Sequence, residues 1–342
     1  MPDAGEEAIS EKELEEAFGG DLGEGPSPSP SASATTGYDA EHASEHPGPG
    51  PSLPRASESQ PTWSEFKEGW DLGIYRDPVL CGVFAGLVLG LLGVFVVLRR
   101  AVFVTAAVSQ AAGLGVALAF LLEIAVGTHL PPVLGALVVS LLATALLTLR
   151  MQRLRLPNET LVGLVYLAAS AGAILVGDRI AQESHDIAGI LFGTAVLVRP
   201  ADFALVVGVG TAVALVVILA HRGLLFAGFD PEGARVHGLP VRLLDLSLWV
   251  LVALEVSVTT RAIGALPVFA FAVLPAMAAL ALSERVRWAL VLAAVLGGAA
   301  GGLGYLFAFF FEFPVGASQA TLATVFLFLA LPIARFLRGS AT

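Results

Sequence analysis

The sequence predicts an all-α integral membrane protein with eight or nine transmembrane helices, a short cytoplasmic helix and a disordered acidic N-terminal tail. Three observations predict it. Of 342 residues, 56% are hydrophobic and only 14% charged, with a mean hydropathy of +0.80, whereas soluble domains carry roughly 25% charged residues. Residues 1–77 hold 17 Asp/Glu against 4 Lys/Arg, and residues 78–342 hold 12 against 15. The net charge of −10 is therefore a tail of −13 on a body of +3, and overall acidity says nothing about the body's partners. Finally, the body reads as a series of apolar runs of about 20 residues, the length that crosses a ~30 Å hydrocarbon core.

The first segment, 1–62, is rich in Pro, Ser, Gly and Glu ("GEGPSPSPSASATTG"). Too little apolar surface is present there to offset chain entropy, so disorder is expected. Its stretch "EEAISEKELEEAF" suits a short acidic helix. His42 and His46 stand four apart, as two ligands on a helix would, but the flanking Pro and Gly argue against a helix there. No basic region followed by a short apolar run opens the chain, so no cleavable signal peptide is expected. Residues 63–77 ("WSEFKEGWDLGIY…") carry the aromatics of a segment lying along a membrane interface.

The membrane domain spans 78–338, with crossings expected near 79–98, 103–123, 131–149, 159–177, 202–220, 243–260, 262–282, 286–310 and 317–338. A shorter element, 185–198, suits a re-entrant or interfacial segment. Taking Arg99 and Arg100 as cytoplasmic puts 12 arginines of the body on that side and leaves Arg179, Arg199 and Arg261 outside, as the positive-inside rule requires. Nine crossings then place the acidic tail outside. Gly86 and Gly90, and Gly297 and Gly301, are small residues four apart, which let helices approach backbone to backbone, within one chain or across a dimer. Pro267 and Pro275 are expected to break the crossing 262–282. The single cysteine, Cys81, sits in the first apolar run and builds neither a disulfide framework nor a Cys-based metal site.

Some chemistry is excluded. Both lysines, Lys12 and Lys67, precede the body, so the body holds no GxxxxGK phosphate loop and is no P-loop ATPase. HExxH and GxSxG are also absent, which makes an enzyme a poor reading. Ionisable residues at membrane depth default to functional candidates. Glu255 is foremost; its plain alternative is a carboxylate near the outer interface that bonds Thr259 or approaches Arg261. Glu123, Asp202 and Asp245 sit at span ends, where solvation is easy, and His129, His185 and Asp186 lie in polar connections.

The longest polar connection in the body is 221–242 ("HRGLLFAGFDPEGARVHGLPVR"). Within it Asp230-Pro231-Glu232 predicts the start of a short helix and Gly238-Leu-Pro240 its stop. A capped helix projecting from the cytoplasmic face suits docking onto a motor protein. Near the other end, "RRAVFVTAAVSQAAGLG" (99–115) places Thr105 and Ser109 on one helix face with Gln110 beside them.

Five segments in order, "GLLGVFVVLRR", "ILFGTAVLV", "FDPEGARVHGLPV", "IGALPVFAFAVLPAMAA" and "FEFPVGASQA", resemble the permease subunits of bacterial ABC importers for zinc and manganese. The likeness covers about residues 76–338. In that family the third segment reads F-D-x-x-x-A-x-x-x-G, matched by Phe229, Asp230, Ala234 and Gly238. The fourth matches through Gly264, Pro275 and Ala276, and the fifth has Glu312 where the family has Asp. The resemblance implies a multi-pass protein of the bacterial cell membrane, paired with a second permease copy, a cytoplasmic ABC ATPase that binds the ATP, and an external metal-binding lipoprotein. The chain itself would hold no cofactor; the bilayer, and no nucleic acid, would be its other partner. Residues 229–240 would form the coupling helix, with Glu232 and Arg235 on it.

At 99–115 the chain departs from the family. There the pattern is R-R-x-x-F-x-G-D-x-x-x-H-A, and its Asp and His, four apart, gate or bind the metal. The matching positions here are Ala106 and Gln110. Alanine cannot bind a metal, and an amide oxygen is a weak neutral ligand better suited to Ca²⁺ or water than to Zn²⁺. The expected path is therefore lined by Thr105, Ser109 and Gln110, with Glu255 a further candidate and no assigned metal ligand. Three alternatives stand: an ABC permease with changed cargo, a scaffold that no longer transports, and a proton-coupled transporter using Glu255.

Overall fold

Apolar helices account for nearly every residue placed in the computed structural model, which describes residues 61–127, 130–150, 157–180 and 198–339. The tail, His129, and the short element expected at 185–198 with His185 and Asp186 lie outside the described residues, apart from Val198. Eleven helices follow in chain order: α1 (Trp63–Asp71), α2 (Arg76–Leu98), α3 (Val102–Val126), α4 (Pro132–Arg150), α5 (Asn158–Arg179), α6 (Pro200–Phe229), α7 (Pro231–Val236), α8 (Val241–Ile263), α9 (Ala265–Leu282), α10 (Val286–Phe311) and α11 (Val315–Gly339). No strand occurs among the described residues.

Each expected crossing coincides with one of nine long helices, and seven of these are long and apolar enough to cross a membrane. The other two are α4, whose apolar stretch Pro132–Thr148 is shorter, and α8, which carries Arg242, Asp245, Glu255 and Arg261. The α1 helix opens on a capping box. Glu65 N–H donates to Thr62 Oγ1 at 3.5 Å and Thr62 N–H donates to Glu65 Oε2 at 2.7 Å, which satisfies two otherwise orphaned donors. Its aromatic face, with Tyr75 after it, packs on α10: Phe66 meets Phe309 edge to face at 5.2 Å and Trp63 stacks on Phe310 at 5.6 Å between ring centroids.

α2 is the hub, packing against α6, α9 and α10. Against α10 it runs antiparallel at backbone contact. A Cβ on Gly86 would collide with the Gly297 carbonyl, one on Gly301 with the Gly82 carbonyl, and one on Gly90 with the Ala293 carbonyl. The small-residue stripes of the sequence are thus consumed within the chain, not left for a dimer. Gly115 and Gly135 bring α3 and α4 together in the same way.

Two boundaries differ from expectation. α6 does not stop at 220 but runs 30 residues to Phe229, about 45 Å at 1.5 Å per residue. Beyond the polar His221-Arg222 its apolar face resumes, with Leu224 and Ala227 1% and 2% exposed, and burial of that face carries the helix on. The other difference lies at the prolines. The break falls at Gly264, not at Pro267 or Pro275: Gly264 has φ +97° and ψ 161°, a conformation open essentially to glycine alone. Pro267 sits in the first turn of α9, where its missing N–H would have no helical partner anyway, and Pro275 lies inside the continuous helix.

Candidate functional site

The corner between α2 and α3 is a tight left-handed cap. Ala101 N–H donates to Val96 O at 3.1 Å and Arg100 N–H to Val97 O at 3.0 Å, with Arg100 at φ +56°. This is the glycine-type helix stop made with an arginine, at a cost on the order of 1–3 kcal/mol. The turn folds α3 back so that its first half walls a cavity of about 1010 Å³. α5 contributes Glu159, Val162, Gly163 and Tyr166, and the start of α9 contributes Ala265, Leu266 and Phe269. From the corner and α3 come Arg99, Arg100, Phe103, Ala106, Ser109 and Gln110.

Ala106 and Gln110, the positions where the Asp and His of the family pattern fall, therefore line one cavity wall, with Ser109 between them in sequence. Ser109 Oγ donates to Ala106 O at 2.9 Å and Thr105 Oγ1 to Val102 O at 2.7 Å, so both hydroxyl protons are spent on their own helix. Gln110 differs: its Oε1 is buried and accepts no hydrogen bond from the described residues. Thr105, 1% exposed, is not among the lining residues. The charged side chains lining the cavity are Arg99, Arg100 and Glu159. No group of three or more His, Cys, Asp or Glu placed to hold a metal occurs among the described residues.

Glu255 lies apart from this wall. It is 1% exposed on α8, and an added Cβ on Gly210 of α6 would stand 3.3 Å from its Oε1 and against Phe84 and Val88 of α2. Thr259 Oγ1 donates to Oε1 at 3.2 Å, while Oε2 has no hydrogen-bond partner among the described residues. The Thr259 contact is the one the sequence suggests; Arg261 instead sits over the Phe120 ring, 5.8 Å from its centroid.

α7 is short, capped and outward-facing. Gly233 N–H donates to Asp230 Oδ1 at 2.8 Å, Pro231 occupies the first position, and Gly238 ends the turn at φ +79°, as the residue types require. Ala234 is fully buried against Ala227 and Val241, which seats the helix between the ends of α6 and α8. Phe229, Glu232, Arg235 and Val236 are exposed, Phe229 at 63%.

Arg99 joins the two regions. Its Nη1 donates to Asp245 Oδ1 on α8 at 2.6 Å and its Nη2 to Leu224 O on α6 at 3.3 Å. Asp245 is thus paired, and not merely solvated as its position at a span end suggests. Sequence reasoning also passes over Glu159, which only the packing of α5 on α3 brings to the cavity, and Gln319. The latter is 1% exposed, donates from Nε2 to Gly301 O at 3.0 Å, and lies within "FEFPVGASQA".

A family model described as the ABC 3 transport family matches residues 73–334. The manganese import system permease protein ScaB of Streptococcus parasanguinis is 31% identical over 79% of this chain and 95% of its own length. The manganese transport system membrane protein MntC of Listeria innocua is 29% identical over 78% of this chain and 92% of that protein. Among solved structures, a chain of PsaBC from Streptococcus pneumoniae in complex with Fab is 26% identical with a TM-score of 0.72, covering 82% of this chain and 100% of that one.

Proposed function

Because the chain belongs to the ABC 3 transport family, we propose that it is the membrane-spanning permease of an ATP-driven importer whose cargo is a divalent metal ion of the manganese or zinc class. The relatives named for manganese transport or import support the cargo. The observation that carries the mechanism is the position of Arg99: it lines the cavity beside Ala106 and Gln110, and its guanidinium holds α6 and α8 on either side of α7.

In this reading α7 is the coupling helix. A cytoplasmic ATPase subunit grips its exposed face through Phe229, Glu232 and Arg235, and closure of the motors moves the α6–α7–α8 unit. Arg99 passes that movement to the α2–α3 corner and so to the cavity wall. A second copy completes the path, and an external lipoprotein delivers the ion. ATP is bound and hydrolysed by the partner, and this chain is not an enzyme.

The wall offers the ion neutral oxygens, the Gln110 amide and the Ser109 hydroxyl, in place of a carboxylate and an imidazole. Such oxygens hold a divalent ion weakly, which suits a conduit that passes the ion on rather than storing it. The test is uptake of Mn²⁺ and Zn²⁺ by vesicles holding the chain and its ATPase. Uptake should require ATP and fall in Glu232→Ala and Arg235→Ala variants. Uptake indifferent to ATP and to both substitutions would overturn the proposal.

A further inference from the structure

We propose that the groove between α6 and α10, at the end of the bundle that carries Arg222 and Arg285, is a binding site for the headgroup of an anionic phospholipid. Both helices pack on α2 and leave a groove of about 720 Å³ between their ends. Its polar lining is one-signed: His221 and Arg222 from α6 face Arg285, Arg287 and Trp288 from the start of α10. None of these arginines forms an ion pair among the described residues. Glu284 precedes Arg285 in the chain but does not line the groove.

The walls select a lipid over a soluble anion. Leu225 and Val291 line the groove beside the arginines. One turn deeper, Ile218 on α6 is 57% exposed and Val295 on α10 is 54% exposed, on the faces that continue the groove toward the apolar centre. A phosphate held by guanidinium forks thus leaves its acyl chains against aliphatic side chains. Trp288, 63% exposed, is the residue type that sits at headgroup depth. The arginine bias of the sequence puts this end on the cytoplasmic side, where basic pockets between helices bind anionic headgroups. The proposal stands on the groove alone and does not depend on the identity of the cargo.

The experiment uses the full chain purified in detergent and native mass spectrometry with phosphatidylglycerol or phosphatidylcholine added. The expected result is a retained phosphatidylglycerol and little phosphatidylcholine, with affinity falling about fivefold for each of Arg222→Gln, Arg285→Gln and Arg287→Gln. Arg242→Gln, outside the groove, should change nothing. The single variants keep the test valid if the triple variant fails to fold. Equal retention of both lipids, or undiminished retention by the single variants, would overturn the proposal. So would displacement of the lipid by glycerol 3-phosphate at equal concentration, which would make the ligand a soluble phosphate. Loss of ATPase capture with phosphatidylglycerol still bound would overturn it in favour of a protein-docking surface.

Discussion

Arg99 Nη1 and Asp245 Oδ1 lie 2.6 Å apart across 146 residues of chain, joining the end of α2 to the first turns of α8. The Arg99 side chain is 12% exposed and that of Asp245 43%, so water screens one partner and holds the pair to about 1 kcal/mol or less. Losing Asp245 leaves Arg99 with the Leu224 carbonyl at 3.3 Å as its described partner. Asp245→Asn and Arg99→Gln should each lower thermal stability, and the double variant should be no less stable than the weaker single. A double-mutant cycle measures this; strictly additive losses would mean that the two groups are near but not coupled.

The α2–α10 contact makes a sharper prediction. Gly86→Ala puts a methyl into the Gly297 carbonyl, and the obstacle is backbone that cannot rotate away. Forcing the helices apart should cost about 1–3 kcal/mol, read as a lower unfolding temperature in detergent. Gly208→Ala is the control, since a Cβ there meets nothing within 4 Å. It should be neutral or slightly stabilising through helix propensity.

Capping of α7 is testable separately from its surface. Asp230→Ala removes the acceptor for Gly233 N–H, worth about 1 kcal/mol, and should fray α7 while the long helices stay intact. Capture of the ATPase subunit should weaken with the circular-dichroism melt of the bundle unchanged. Asp230→Asn, which keeps an oxygen acceptor, should restore most of the capture.

At the cavity wall, Ala106→Asp together with Gln110→His builds a carboxylate and an imidazole one turn apart, where a divalent ion can bridge them. Equilibrium dialysis against Zn²⁺ and Mn²⁺ should show tighter binding than the parent, and either single change should give less. Unchanged affinity would move the ion's path away from this wall.

Glu255→Gln distinguishes the ATP-driven reading from a proton-coupled one. The amide oxygen can still accept from Thr259 Oγ1, as Oε1 does at 3.2 Å, so the fold should hold. ATP-driven uptake should persist in vesicles with the ATPase. Uptake by the parent chain that runs on a proton gradient without ATP, and is abolished in this stably folded variant, would instead make the carboxylate a proton carrier.

Helix existence and order were legible in one dimension because membrane length imposes one rule on every crossing, and because Asp230, Pro231 and Gly238 mark α7 by local backbone chemistry. The end of α6 was less so: His221-Arg222 reads as a span end, and burial of Leu224 in the core and of Ala227 against Ala234 and Val241 keeps the helix going. The prolines misled for a related reason. Whether Pro267 breaks a helix depends on which turn it occupies, and Gly264 decides that by taking a conformation closed to other residues.

For the site, the sequence alone determined that Ala106 and Gln110 stand where a metal-binding pair falls in the family pattern, since residues four apart share a helix face whatever surrounds them. It could not say what that face meets. Tertiary packing put Gln110 at a cavity with Glu159, turned Thr105 away from it, sealed Glu255 between α2, α6 and α8, and made Arg99 the link from the cavity to α7. The physical reason is range: helix periodicity and capping act over a turn or two, whereas an ion pair spanning 146 residues exists only once burial of apolar faces has brought the helices together.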